Sequence, residues 1–223
     1  MPDIFLKYFE DRLSKTTKGT KSNAGFITIS RQTGCNGNSI AAKLATQLSR
    51  QNKWKFINKE VLDESAKKLS LKKSKISHLF NAEHLSHADE IMSAFSSRYY
   101  KSDRKLKKTV SDVIRHYAKE GDIIIVGRAG VGITMDMPNS LHIRIEAPLE
   151  WRINSLKKRK GFENIDFEKF VVDQERKRTR LLERFCKISF DDIVFDLTIN
   201  RDRFTEQQIV DLIIQSMKLK KLC

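Results

Sequence analysis

The chain is poor in the residues that mark small secreted, fibrous or membrane proteins. Cysteine occurs three times, at Cys35, Cys186 and Cys223, too few and too scattered for a disulfide framework. That usage predicts a reduced, cytoplasmic protein. Three prolines and nine glycines in 223 residues exclude a low-complexity linker. No apolar run approaches the roughly 20 residues that a membrane span needs. The first ten residues mix Asp3, Lys7 and Glu10 with Ile4, Phe5 and Leu6, which is not the unbroken apolar stretch of a secretory signal.

What is plentiful is positive charge. Lys and Arg number 43 against 28 Asp and Glu, a formal net charge of +15. This balance suits anionic partners such as nucleotides, nucleic acid or acidic membranes. It equally suits a soluble surface with lysines spread over exposed helix faces. A chain of this length buries a core without metals or disulfides.

Residues 15–24 (KTTKGTKSNA) are polar and aperiodic, and predict a flexible link between a short N-terminal helix and a domain that starts near residue 25. Four Ile-, Val- and Phe-rich runs have strand character: Phe26–Ser30, Ile123–Val126, Leu141–Ile145 and Ile193–Ile199. Residues 55–58 form a weaker fifth. The clearest runs are continuous rather than alternating, as in a parallel sheet covered on both faces. Helical stripes lie between them, over 39–50 and 103–119, and the last helix opens with a capping box at Thr205 and Gln208. Strands alternating with helices predict a layered, parallel α/β sheet.

After the first strand comes ITISRQTGCNGNSIAAKLA, a buried strand entering a glycine-containing turn and then an amphipathic helix. Unpaired amides and the dipole at a helix start favour phosphate, and glycines let that backbone come close. Against G-x-x-x-x-G-K-[ST], only Gly37 and Ser39 match. Gln32 and Asn38 stand where glycine and lysine belong. On residues alone, the turn is either a phosphate cradle or a steric strand–helix joint. Further on, IIIVGRAGVG places Arg128 at the carboxyl end of a strand, where it either forks onto a phosphate or caps a carbonyl. In residues 166–185 the apolar stripe of Phe167, Phe170 and Val171 resumes at Leu181, Leu182 and Phe185. Gln174 and Arg178 interrupt it, so that section projects into a cleft, while Arg176 and Arg180 share one face. A solvated or nucleic-acid-binding basic helix is the other reading. His142 alternates with apolar neighbours and reads as a packed strand histidine. His84 and His87 could form a metal site with His78, but no Cys or HExxH spacing supports one.

In these blocks the chain resembles the cytidylate kinase-like family, a divergent branch of the nucleoside monophosphate kinases. Ser30, Arg31, Gly34, Gly37, Ile40 and Ala41 fit its opening. Gly127, Arg128, Gly130 and Pro138 fit its second block, Ala147-Pro148 its next turn, and Phe195-Asp196-Leu197 with Asn200 its closing strand. Asn36, Asn38, Asn58 and Ala129 depart from the pattern.

The resemblance implies a three-layer P-loop NTPase-like fold with a five-stranded parallel sheet, a helical acceptor-binding insert at about 70–102 and a lid at about 157–185. It implies ATP and Mg²⁺ as cofactors, a nucleoside triphosphate donor and a monophosphate acceptor, CMP or dCMP. No membrane enters, and nucleic acid is the lesser partner. Arg31, Gly34, Cys35, Asn36, Gly37, Asn38, Ser39 and Arg178 would bind nucleotide. Ser39 would help bind Mg²⁺, Arg128 would hold the acceptor phosphate, and Arg176 and Arg180 would act on the transferred group. The neutral substitutions leave open a weakly active or inactive nucleotide sensor.

Overall fold

In a computed structural model the described residues are 25–49, 54–58, 63, 67, 97–159, 165–186 and 188–222, with side chains in the 97–159 stretch from residue 104 onward. The expected N-terminal helix and link, the His78, His84 and His87 group and most of the insert lie outside them. No described helix is long and apolar enough to cross a membrane.

Five strands form one parallel sheet: β1 (Phe26–Arg31), β2 (Lys55–Ile57), β3 (Ile123–Val126), β4 (Ser140–Glu146) and β5 (Leu197–Asn200), in the order β2-β3-β1-β4-β5. Successive side chains on a strand point to opposite faces. Ile27, Ile29, Ile143 and Ile145 therefore join Ile40 and Leu44 of α1 (Gly37–Leu48) and Ile209 and Ile213 of α6 (Glu206–Leu219) in one buried cluster. Phe26, Ile123 and Ile125 join the other. That second layer holds Val110, Val113 and Ile114 of α2 (Ser97–Glu120), Val131 and Ile133 of α3 (Gly130–Thr134), and Leu182 of α5 (Phe167–Cys186). Each such side chain fully buried contributes about 1.5–3 kcal/mol, so the two clusters fix the three layers. A further helix, α4 (Leu149–Lys157), follows Pro148, whose fixed φ suits a helix start.

The capping box is present: the Gln208 amide donates to the Thr205 hydroxyl at 3.3 Å, and the Thr205 amide to the Gln208 side chain at 2.9 Å. The fifth strand is shorter than its apolar run. Ile193 and Phe195 pack into the second cluster while Val194 is exposed, and a 3₁₀ turn occupies Phe190–Asp192. The segment 193–195 is thus held by side-chain burial, the Asp196 amide donates to the His142 carbonyl of β4 at 2.8 Å, and residue pairing with β4 begins at Leu197 opposite Ile143.

Candidate functional site

β1, β3 and β4 end at the same edge of the sheet, and the turns that follow them meet there. The loop after β1 is built around two left-handed residues, Gly34 (φ 96°) and Asn36 (φ 57°). A Cβ on Gly34 would meet the Arg152 carbonyl at 2.7 Å, so only glycine lets the loop pack on α4. The Gly34 carbonyl accepts from Ser155 (2.8 Å) and Arg159 (2.9 Å), and Gln32 bridges to β4 and the Ala147 amide. Cys35 turns its thiol into the core at 0% exposure, and burial pushes that thiol up to about 11. Its amide goes to the Gln32 carbonyl. Of the expected nucleotide-contacting residues, its side chain is thus structural. No side chain caps α1 and its first turn holds no acid, which leaves the dipole's positive end uncompensated.

The turn after β3 is built on three successive left-handed residues, Gly127, Arg128 and Ala129, at φ 68°, 55° and 57°. Two of the three carry a Cβ, a conformation that costs about 1–2 kcal/mol per residue. This turn carries Arg128 into a cleft of about 330 Å³ lined by Ser30, Arg31, Asn58, Arg144, Glu175, Lys177, Arg178 and Phe190 among others. The stem of Arg31 crosses Gly37 and its guanidinium lies against Gly127, where added Cβ atoms would collide with it. Arg178 reaches over from α5 and donates to the Arg31 carbonyl at 3.1 Å.

Among the described residues the cleft lining therefore gathers five cations, Arg31, Arg128, Arg144, Lys177 and Arg178, with one carboxylate, Glu175, while Glu146 outside the lining pairs with Arg144. Burial first, then the Arg178 and Arg128 cations, bring the Arg31 guanidinium down to about 9, with Glu175 pulling the other way. It remains charged at neutral pH. Burial likewise lowers Arg178, opposed by Glu175. The carboxylate itself is held where an anionic ligand would sit. Glu175 Oε1 accepts from both the amide and the hydroxyl of Thr33, each at 2.6 Å, and from Arg178 at 3.2 Å.

Asn38, which stands in the lysine position, meets a neutral partner that Arg128 holds in turn. Asn38 Oδ1 accepts from the Asn58 side chain at 3.1 Å, and Arg128 Nε donates to the Asn58 carbonyl and Oδ1, each at 3.2 Å. The Ser39 hydroxyl donates to Glu206 at 2.9 Å. Glu206 also pairs with Lys43 at 2.5 Å and Arg201 at 3.8 Å. Two cations already neutralise that carboxylate, and Ser39 lines neither this cleft nor the one below. The hydroxyl proton is committed to Glu206, while the oxygen lone pairs that a Mg²⁺ ligand uses are not.

A second cleft, of about 540 Å³, opens on the other side of the loop, lined by Asn36, Trp151, Asn154, Ser155, Lys158, Arg159 and Arg201. The Arg201 guanidinium stacks 5.2 Å from the Trp151 ring centroid, and its buried Nε has no hydrogen-bond partner among the described residues. The structure thus brings Arg31, Arg128, Arg178, Asn38 and Gly37 together and sets Asn36 at the second cleft. Arg176 and Arg180 are exposed on the opposite side of α5, Arg176 beside Asp173 at 3.6 Å. Residues two apart on a helix lie nearly opposite, so Arg178 turns inward at their expense.

Sequence reasoning missed Thr33, Glu175 and Arg144. For Arg144 a signal existed: in LHIRI, His142 and Arg144 lie on one face of an otherwise buried strand. The Thr33–Glu175 pair spans 142 residues and left none.

Residues 26–203 match the model of the cytidylate kinase-like family. A curated cytidylate kinase from Methanosarcina barkeri is 26% identical over 113 residues, 50% of this chain, and the match spans 61% of that relative's length. Among solved structures, a protein from Eubacterium ventriosum has a TM-score of 0.62 at 21% identity, covering 87% of this chain and 98% of that one. A shikimate kinase from Bacteroides thetaiotaomicron has a TM-score of 0.51 at 9% identity, with the same coverage. At these identities the structural likeness speaks for the fold, the three-layer α/β arrangement of P-loop kinases.

Proposed function

The chain belongs to the cytidylate kinase-like family, and from that premise we propose that it moves the γ-phosphoryl group of ATP onto a nucleoside monophosphate, CMP or dCMP. The observation that carries this reading is the convergence of Arg31, Arg128 and Arg178 around the loop 32–37, with the Glu175 carboxylate in their midst. Phosphoryl transfer asks a protein mainly for in-line positioning and for cations placed where charge develops. In this reading the donor's phosphates run along the loop to the open end of α1. Its base takes the Trp151–Arg201 cleft, where an indole and a guanidinium offer flat surfaces. The acceptor enters the first cleft with its phosphate on Arg128 and Arg31.

Arg178, which already bridges the lid helix and the loop, takes the transferring group. Arg176 and Arg180 would reach that group only if α5 turned by about half a revolution, at roughly 100° per residue. Magnesium would supply neutralisation of phosphate charge in such a transfer, and the Ser39 oxygen would help hold it. Glu175 must leave Thr33 before a phosphate oxygen can take its place.

Thermal-shift measurements with nucleotides, followed by an ADP-release assay with each monophosphate, test this. The expected result is stabilisation by ATP and turnover with CMP, with Arg128→Ala lowering kcat/KM by about 100-fold or more. One specific observation favours a second reading, a nucleotide-binding protein with little chemistry. Asn38 stands in the lysine position and is engaged with Asn58. ATP stabilisation without turnover of any monophosphate would establish that reading instead.

A further inference from the structure

Arg144 forms part of the floor of the first cleft and no role above uses it. Ser30 lies opposite Arg144 in the sheet register, and Ile29 lies opposite Val126, which sets Gly127 level with Ser30. Strands lie about 4.8 Å apart, so the backbones of the Arg128 turn and of Arg144 lie about 10 Å apart with β1 between them. Both arginines line the same cleft, one from each side of β1.

The Arg144 guanidinium is fixed in plane. It sits 4.6 Å from the Phe190 ring centroid and 5.7 Å from that of Phe195, and its Nε donates to Glu146 at 3.0 Å. Its side chain is 17% exposed. Among the described residues no acceptor meets its two terminal nitrogens. A charge placed on a central strand loses hydration that one half-exposed carboxylate restores only in part. A ligand offering acceptors to the terminal edge would complete it.

We propose that Arg144 selects the acceptor's base, reading a planar edge that carries two adjacent hydrogen-bond acceptors. This rests on the first cleft being the acceptor site. A guanidinium fork has donors only and matches such an edge bidentately. Cytosine presents one at O2 and N3, and guanine at O6 and N7. Uracil alternates acceptor, donor, acceptor, and adenine sets an acceptor beside a donor amine. The site therefore favours CMP or GMP over UMP and AMP, and Phe190, beneath the guanidinium, holds the fork in plane.

Calorimetric titration of the full chain and of Arg144→Lys tests this, with CMP, GMP, UMP, AMP and ribose 5-phosphate as ligands. Lysine keeps the charge but has no fork. The wild type is expected to bind CMP or GMP about tenfold more tightly than UMP and AMP. Arg144→Lys should erase that preference while the Kd for ribose 5-phosphate, which has the phosphate and no base, stays within about threefold. Phe190→Leu leaves the fork but removes its platform. It should reduce the preference in part, and it serves as the test if the lysine variant does not fold. A preference unchanged in both variants overturns the assignment of Arg144 and leaves the acceptor cleft standing. Equal weakening of CMP and ribose 5-phosphate moves Arg144 to the phosphate and also overturns it. A wild type that binds none of the five ligands overturns the acceptor cleft together with the inference.

Discussion

Gly127 combines a φ of 68° with a position against which the Arg31 guanidinium lies. Gly127→Ala places a Cβ in a conformation that costs about 1–2 kcal/mol, and the collision pushes Arg31 out of the cleft as well. The expected outcome is a lower thermal midpoint together with weaker pyrophosphate binding. An alanine variant that melts and binds like the wild type would show that Arg31 has room elsewhere. Glu175 behaves in the opposite sense. It holds the Thr33 amide and hydroxyl at 2.6 Å, so it competes with any anion that needs them. An occupied site shows reduced apparent affinity, and Glu175→Ala removes the occupant. Pyrophosphate should then bind about fivefold more tightly by calorimetric titration. Looser binding would instead make Glu175 a scaffold for the loop. At this scale the sequence conveyed chemistry better than direction. Arg31, Arg128 and Arg178 could be picked out as phosphate-suited residues, and all three reach the cleft. Arg176 and Arg180 suited phosphate equally by type, and only tertiary packing of α5 decides that they face water. The contacts of Thr33 with Glu175 depend on two distant elements docking, which no local spacing encodes.

Elements were more legible than side-chain directions, for a physical reason. β1, β3 and β4 are buried on both faces, so their Ile-rich runs had no competing reading. The failure at 193–196 has the same root. Burial makes an apolar run, whereas a strand also needs a partner, and here the backbone meets β4 only from Asp196 onward. α3 escaped notice because it has five residues, two of them glycine. Gly132 of α3 packs so tightly on α5 that an added Cβ would overlap the Cys186 sulfur. β4 carries a pH-dependent element in His142, whose Nδ1 lies 2.8 Å from the Thr28 hydroxyl while its buried Nε2 has no hydrogen-bond partner among the described residues. Burial lowers its pKa from 6.5, Asp196 opposes this and Lys220 adds to it. As pH falls through 6.5 the unfolded chain takes up this proton and the folded chain resists, so stability drops from that point downward. Asp196, held below its ordinary range by the His142 amide and Lys220 against the opposing effect of burial, acts in a separate window below about pH 4. The thermal midpoint of the wild type should thus decline between pH 7 and 5.5, and His142→Gln should flatten that decline. A decline of equal size in the variant would assign it to other groups.

For the whole molecule the decisive feature is that the loop 32–37 separates two basic clefts, one reached from Arg31 and Arg128 and the other from Asn36 and Arg201. A net charge of +15 draws any polyanion to such a surface, and single-nucleotide binding alone does not separate a two-substrate site from general basicity. A ligand that must occupy both clefts at once does. If donor and acceptor meet across the loop, an adenosine–cytidine dinucleoside pentaphosphate joins two binding events, and the second proceeds at the high effective concentration of a short linker. It should bind about 100-fold more tightly than ATP or CMP alone, and that gain should survive in 0.2 M salt because it comes from geometry rather than from counterion release. A basic surface serving nucleic acid predicts the reverse. The pentaphosphate would then bind no better than a free polyphosphate of the same length, and its affinity would fall steeply as salt rises. Calorimetric titration at 0.05 M and 0.2 M salt distinguishes the two, and an analogue that binds no tighter than ATP at either concentration would mean that the two clefts do not work as one site.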